Sequence, residues 1–141
     1  MLANRIPILI YERIRRKFHQ HIHFLGQKLI DKGVVKKGFI ESVLQREKLS
    51  PTCYFDTFAI PHATELNAKH TMCCVALSKK GIPWQDSRVH IVLMIAVRKE
   101  DRNEFMELYE AILQSLDSKE KVQEIMKSNS FEEFVKNMSG Y

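Results

Sequence analysis

Val89-His90-Ile91-Val92-Leu93-Met94-Ile95-Ala96-Val97 is the stretch that decides the fold. Its one polar side chain is His90, and polar residues bound it: Asp86-Ser87-Arg88 before, Arg98-Lys99-Glu100 after. A strand with one wet face alternates apolar and polar side chains. A run that is apolar at successive positions belongs to a strand covered on both faces. The segment Ile91–Val97 is also far shorter than the ~20 residues that cross a bilayer as a helix. Met72–Leu77 reads as a second buried strand, with Lys79-Lys80-Gly81-Ile82-Pro83 as the turn between the two.

Upstream, Tyr54–Ile60 is a third strand-forming stretch, ending at Pro61. Before it, residues 8–31 place Leu9, Ile10, Ile14, Phe18, Ile22, Leu25, Leu29 and Ile30 at helical spacing, closed by Lys32-Gly33. A second helix fits Lys36–Glu47, with Phe39, Ile40, Val43 and Leu44 as its stripe, and Ser50-Pro51-Thr52 breaks it. Downstream, Arg102–Leu116 carries Phe105, Leu108, Tyr109, Ile112 and Leu116 on one side. Asp117 with Glu120 and Ser130 with Glu133 form two capping boxes, which predict helices at Ser118–Lys127 and Phe131–Met138. The expected architecture is α/β: one domain over residues 1–141, a mixed β-sheet flanked by helices on both faces.

Composition limits the functional classes. A chain of 141 residues, 45% apolar and 28% charged, buries a sizeable core without disulfides or metal. Its three cysteines, Cys53, Cys73 and Cys74, form no C-x-x-C pair, so a reduced, cytoplasmic protein is expected. The apolar stretch Ile6–Tyr11 runs into Glu12, Arg13, Arg15, Arg16 and Lys17, with no small-residue cleavage site, which is not the layout of a secretory signal. The net charge of +5 is mild, and only Arg13–Lys17 concentrates it. A basic segment on one amphipathic helix is usually a solvated face, so no direct nucleic-acid partner and no membrane insertion are expected.

Six histidines are the candidates for chemistry. His19 and His23 share a helix face as two zinc ligands would, with His21 between them. The group lacks a third ligand and reads as a solvated polar face, so no metal and no cofactor are expected. His90 alternates into a strand as a satisfied or surface residue, and His70 sits among polar residues before a strand. His62 differs by setting. It follows Ile60-Pro61 at a strand end, and Pro61 denies the chain a helix there. A histidine presented past a strand end is a nucleophile well placed for catalysis or phosphoryl acceptance.

Gln45-Arg46-Glu47-Lys48-Leu49-Ser50-Pro51-Thr52, followed by Phe58-Ala59-Ile60-Pro61-His62, resembles the signature of the phosphotransferase-system EIIA domain of the fructose/mannitol class. The turn Gly81-Ile82-Pro83-Trp84 and the strand ending in Ala96-Val97 before a helix agree with it. The resemblance covers about residues 24–138. It implies a mixed sheet with helices on both sides and a phosphocarrier role. The phosphoacceptor role falls on His62, which would take its phosphoryl group from phospho-HPr and pass it to a cysteine of an EIIB domain. Phosphoryl binding falls on Arg46, whose planar fork suits phosphate oxygens and whose alternative is a surface ion pair. Ser50 and Thr52 offer hydroxyls to the phosphoryl group, or serve only the turn. Glu47 orients Arg46, or caps a solvated helix end.

One departure stands out. Sugar-transporting relatives carry a second histidine early in the helix after the Ala96-Val97 strand. Phe105 fills that slot here, or Glu104 if the register slips by one, and no histidine follows His90. The chain also resembles the EIIA-like domain of BglG/LicR-type transcriptional regulators, in which histidine phosphorylation reports the state of a transport system. A regulatory phospho-switch domain, contacting other domains of a longer chain, is therefore the alternative to a sugar-transport component.

Overall fold

The computed structural model describes residues 8–11 and 18–139. In chain order these form β1 (Ile8–Tyr11), α1 (Phe18–Asp31), α2 (Phe39–Leu49), β2 (Cys53–Tyr54), β3 (Phe58–Ala59), β4 (Met72–Trp84) and β5 (Ser87–Ala96). A 3-10 turn at Lys99–Asp101 leads into α3 (Arg102–Ser115), α4 (Lys119–Met126) and α5 (Phe131–Ser139). The sheet has five strands in the order β1-β4-β5-β3-β2. It is mixed: β4 pairs antiparallel with β5, and β2 with β3, while β1 runs parallel to β4 and β3 parallel to β5.

The apolar run places β5 at the centre, and its alternation divides the core in two. Val89, Val92, Met94 and Ala96, with Cys74, Ala76, Ile82 and Trp84, face α1 and α2. Ile91, Leu93, Ile95 and Val97, with Cys73, Val75 and Leu77, face the side chains of α3, α4 and α5. Each fully buried Ile, Leu or Val contributes roughly 1.5–3 kcal/mol, so neither face of these strands can be left wet. Cys73 and Cys74 thus lie on opposite faces, as successive strand residues must. On the first face the helices pack closely. A β-carbon on Gly26 of α1 would stand 2.6 Å from Cγ1 of Ile40 on α2. Among the described residues no helix is long and apolar enough to cross a membrane.

Several expected elements are redrawn. Of the helix predicted over residues 8–31, the described residues from Phe18 to Asp31 form α1, and residues 12–17 lie outside the described residues. Ile8–Tyr11 is instead an edge strand in register with Val75–Ser78, because pairing with β4 outweighs the helical spacing of its apolar residues. Arg13–Lys17 lies outside the described residues. Lys79–Pro83 is not a turn. β4 continues through it, and the register against β5 shifts between Leu77 and Ile82. Gly81 at φ 87° donates its N–H to the Ser78 hydroxyl there, so this bulge takes the glycine that suggested a turn. The reversal falls at Gln85-Asp86, with Gln85 in the left-handed region. Tyr54–Ile60 is not one strand but the β2–β3 hairpin, closed by Thr57 N–H on the Tyr54 carbonyl. Its tip puts Phe55 and Asp56 at positive φ.

The helix termini shift too. α2 starts at Phe39, after Gly38 at φ 92°, and ends at Leu49. Ser118, not Asp117, caps α4, accepting from the Lys121 N–H. The second capping box forms with Ser130 accepting from the Glu133 N–H, and the Glu133 carboxylate reaches the Asn129 N–H. The histidine face of α1 is only partly solvated. His19 and His23 are exposed, but His21 sits four residues before Leu25 on the inward stripe and is buried.

Candidate functional site

His62 follows β3 at the carboxyl end of the central strands. Its backbone forms a parallel bridge with Ile95, and the Pro61 carbonyl accepts from the Ile95 N–H. Proline lacks an N–H but keeps this acceptor, so Ile60-Pro61-His62 extends β3 alongside β5 without a helix-forming option. Ile60 N–H donates to the Thr52 carbonyl, which ties the same segment to the chain just before β2.

The imidazole is half-buried, and its Nδ1 lies 2.8 Å from the Ile60 carbonyl oxygen. A carbonyl only accepts, so Nδ1 carries the hydrogen and Nε2 keeps its lone pair. Burial pulls the pKa of His62 below its ordinary value. The Arg46 charge pushes the same way, against the Ile60 carbonyl and Glu47. The ring is therefore neutral, with a free Nε2, through the neutral pH range.

Two aromatic rings of α3 flank it. The Phe105 centroid is 5.4 Å from that of His62 and the Tyr109 centroid 5.9 Å, both edge-on. Phe105 and Tyr109 are one helical turn apart and contact each other at 5.7 Å. Phe105 is buried while Glu104 is exposed, so of the two positions considered for a second histidine it is Phe105 that faces His62. The Tyr109 hydroxyl shares a hydrogen bond with the Tyr54 hydroxyl of β2.

Arg46, in the last turn of α2, is near enough for its charge to act on both His62 and Tyr109. One of its terminal nitrogens donates to the Ser50 carbonyl at 2.8 Å. Ser50 thus contributes its backbone oxygen here, and its side chain is exposed. Glu47 is not at a solvated helix end. It is buried, and its carboxylate accepts from the Thr52 N–H at 3.2 Å, the Thr52 hydroxyl, the Trp84 indole N–H at 3.2 Å and the Gln85 amide at 3.5 Å. Burial of a carboxylate is tolerable because these donors replace water. Thr52 is fully buried and its single hydroxyl hydrogen is committed to Glu47, so it is not on offer to a group carried by His62. Glu47 supports Arg46 indirectly, by fixing the segment after α2 to the β4–β5 turn.

Sequence reasoning therefore brought together His62, Arg46 and Phe105, and missed Tyr54, Tyr109, Trp84 and Gln85. Tyr109 was visible only as part of an apolar stripe. Its signal was the spacing of four from Phe105. Among the described residues, no group of three or more His, Cys, Asp or Glu is placed to hold a metal ion.

A mixed five-stranded sheet with helices on both faces and one histidine offered at the end of its central strands defines an α/β domain of the EIIA mannitol type. Residues 8–140 match the family described as phosphoenolpyruvate-dependent sugar phosphotransferase system, EIIA 2, and the chain belongs to that family. The match takes in β1 and the start of α1, upstream of Phe24. The chain is 31% identical over 134 residues to the probable licABCH operon regulator of Bacillus subtilis (strain 168), covering 93% of this chain and 21% of that protein. It is 27% identical over 139 residues to the transcriptional regulator ManR of the same organism, covering 98% of this chain and 22% of that one. The chain thus spans about a fifth of the length of these two regulators. It is also 27% identical over 131 residues to the mannitol-specific phosphotransferase enzyme IIA component of Geobacillus stearothermophilus, covering 91% of this chain and 88% of that protein. In fold it matches IIA mannitol from Escherichia coli, with a TM-score of 0.75 at 22% identity over 96% of each chain. The same holds for a chain from the Escherichia coli complex of enzyme IIA and phosphorylated enzyme IIB for mannitol, with a TM-score of 0.78 at 23% identity over 99% of this chain and 96% of that one.

Proposed function

We propose that this domain is a phosphoryl carrier in which Nε2 of His62 accepts a phosphoryl group from phospho-HPr. The observation that carries the reading is the ring geometry: Nδ1–H is held by the Ile60 carbonyl, leaving the Nε2 lone pair free beside a positive charge. The Nε2 lone pair attacks phosphorus in line. The new N–P bond forms as the donor's N–P bond breaks, and its electron pair returns to the donor imidazole. Positive charge grows on the His62 ring, where the Ile60 carbonyl stabilises Nδ1–H. Negative charge on the three equatorial oxygens is met by Arg46. The donor is already a phosphoramidate, so positioning and charge stabilisation account for what the protein must supply.

Two destinations for the group are in view. One is a cysteine of an EIIB domain, in a sugar-transport component. The other is retention, as the phospho-switch of a BglG/LicR-type regulator. The second is favoured by a specific observation: the residue facing His62 on α3 is Phe105, which has no hydrogen to donate. Similarity to two regulators along nearly the whole of this chain points the same way.

The test is incubation with enzyme I, HPr and phosphoenolpyruvate, then intact mass and phosphosite mapping, then a chase with a panel of EIIB domains. Phosphate on His62 supports the carrier reading, and phosphate on another residue, or none, overturns it. Rapid, complete loss to one EIIB assigns the transport role. Retention against the whole panel assigns the switch.

A further inference from the structure

The hydroxyl pair of Tyr54 and Tyr109 has a hydrogen to spare. Two phenols bring two O–H hydrogens, and the single bond between them uses one. Among the described residues neither hydroxyl has a second hydrogen-bond partner. The bonded pair is only part-buried, so the remaining hydrogen is available to solvent or to a ligand.

Its location is what gives this hydrogen a use. Tyr109 sits with its ring edge against His62, one turn along α3 from Phe105. Tyr54 packs edge-on against Tyr109 at 6.0 Å and fixes it from β2. The charged groups that act on the Tyr109 hydroxyl, Arg46 and Glu47, are those that act on His62, so the phenol and the imidazole share one electrostatic environment. Burial above all holds the Tyr109 hydroxyl well above the usual phenol range. It therefore stays protonated at any physiological pH and is a permanent donor.

Resting on the reading of His62 as phosphoacceptor, we propose that Tyr109 donates its hydroxyl hydrogen to the phosphoryl group on His62, with Tyr54 donating to the Tyr109 oxygen from behind. The relay Tyr54 to Tyr109 to phosphoryl oxygen holds the bound group from the second turn of α3, while the Phe105 flank still offers no donor. A phenol whose oxygen already accepts a hydrogen bond is a better donor, because the chain polarises cooperatively. Tyr109 is then a phosphoryl-binding residue and Tyr54 a positioning residue acting through it.

The experiment loads His62 in two ways, by phospho-HPr and chemically with phosphoramidate, in wild type, Tyr109→Phe, Tyr54→Phe and the double variant. The readout is a phosphorus-NMR pH titration of the phosphohistidine. A donor to the dianion favours the charged form, so removing it raises the second ionisation of the phosphoryl group. Tyr109→Phe is expected to raise that midpoint by about one unit, equivalent to a tenfold change, and to slow acceptance from phospho-HPr about tenfold or more. Tyr54→Phe gives a smaller shift in the same direction, and the double variant behaves as Tyr109→Phe alone. A midpoint unchanged in Tyr109→Phe overturns the proposal, since both rings keep their packing in that variant. Chemical loading keeps the two questions apart. If phospho-HPr does not phosphorylate wild-type His62, the carrier reading fails, while the titration of chemically loaded protein still decides the role of Tyr109.

Discussion

The Phe105 ring lies edge-on against His62, with centroids 5.4 Å apart and planes at 61°. An apolar side chain thus occupies one flank of the imidazole, and it is itself almost wholly buried. Phe105→His would put a donor on that flank. Transfer from phosphorylated protein to EIIB domains is expected to speed up about tenfold or more, the worth of one hydrogen bond to a charged group. Loss of core packing should lower the unfolding midpoint in the same variant. A chase of acid-labile phosphate measures the first and urea denaturation the second. Unchanged transfer in a folded variant would show that the flank is not where the phosphoryl group lies.

Arg46→Ala is expected to slow phosphorylation of His62 by about a hundredfold, the usual loss for a charge-stabilising group at a transfer site. Stability should change by less than about 1 kcal/mol, since the side chain is partly exposed and donates to one backbone carbonyl. Arg46→Lys should recover only part of the rate, because a point charge lacks the planar fork. Stopped-flow phosphorylation by phospho-HPr checks both. A normal rate in the alanine variant would remove Arg46 from the site.

Glu47→Gln tests the buried carboxylate. Every partner of its two oxygens donates, so an amide must set one N–H against a donor. A cost of about 1–3 kcal/mol is expected, seen as a lower urea midpoint with an unchanged slope. A variant as stable as wild type would show that these donors do not need two accepting oxygens.

His62 makes stability depend on pH in a stated direction. Its pKa in the folded protein lies below 6.5, chiefly through burial. As pH falls below that value the unfolded chain binds a proton that the native ring still refuses, so stability is present above pH 6.5 and is lost on acidification towards the folded pKa. Wild type should therefore lose more stability than His62→Gln between pH 7.5 and pH 5.5. The difference between the two proteins isolates this group, and equal losses would show that His62 titrates normally in the fold.

The thiols should react in order of exposure. Burial raises Cys53 modestly, lifts Cys74 to about 11 and holds Cys73 well above the ordinary range. At pH 8 a thiol reagent should modify Cys53 first and leave Cys73 and Cys74 of β4 intact until the protein unfolds. Replacing all three with Ala should leave phosphoryl acceptance unchanged. Loss of acceptance in a folded Cys53→Ala variant would reveal a thiol with a catalytic part.

The centre of the sheet was legible because β5 is apolar at successive positions, a pattern that only a doubly covered strand explains. Its edges were not. β1 is four residues whose spacing suits a helix as well as a strand, and only pairing with β4 decides between them. The β2–β3 reversal uses Phe55 and Asp56 at positive φ; Asp tolerates that region but Phe does not favour it, so the local signal was weak. At the site, His62 and Arg46 stood out by setting and by resemblance. Of the two readings of Glu47, the solvated helix end failed because its donors come from Trp84 and Gln85 on another strand and turn, a pairing created by the fold.

The bridge between His62 and Ile95 places the acceptor in the ladder of the central strand, not on a loop that opens by itself. Amide exchange at Ile95, whose N–H is held by the Pro61 carbonyl, should accordingly be as slow as at Leu93, because freeing the histidine means unzipping the β3 extension from β5. A site stitched in this way gives a phosphoryl group little to rearrange. If His62 carries the phosphoryl group as proposed, a docking partner would meet a dianion standing where a neutral ring stood. Under the proposed switch reading, the signal would be written in local field and not in shape, and it would fade as ionic strength rises.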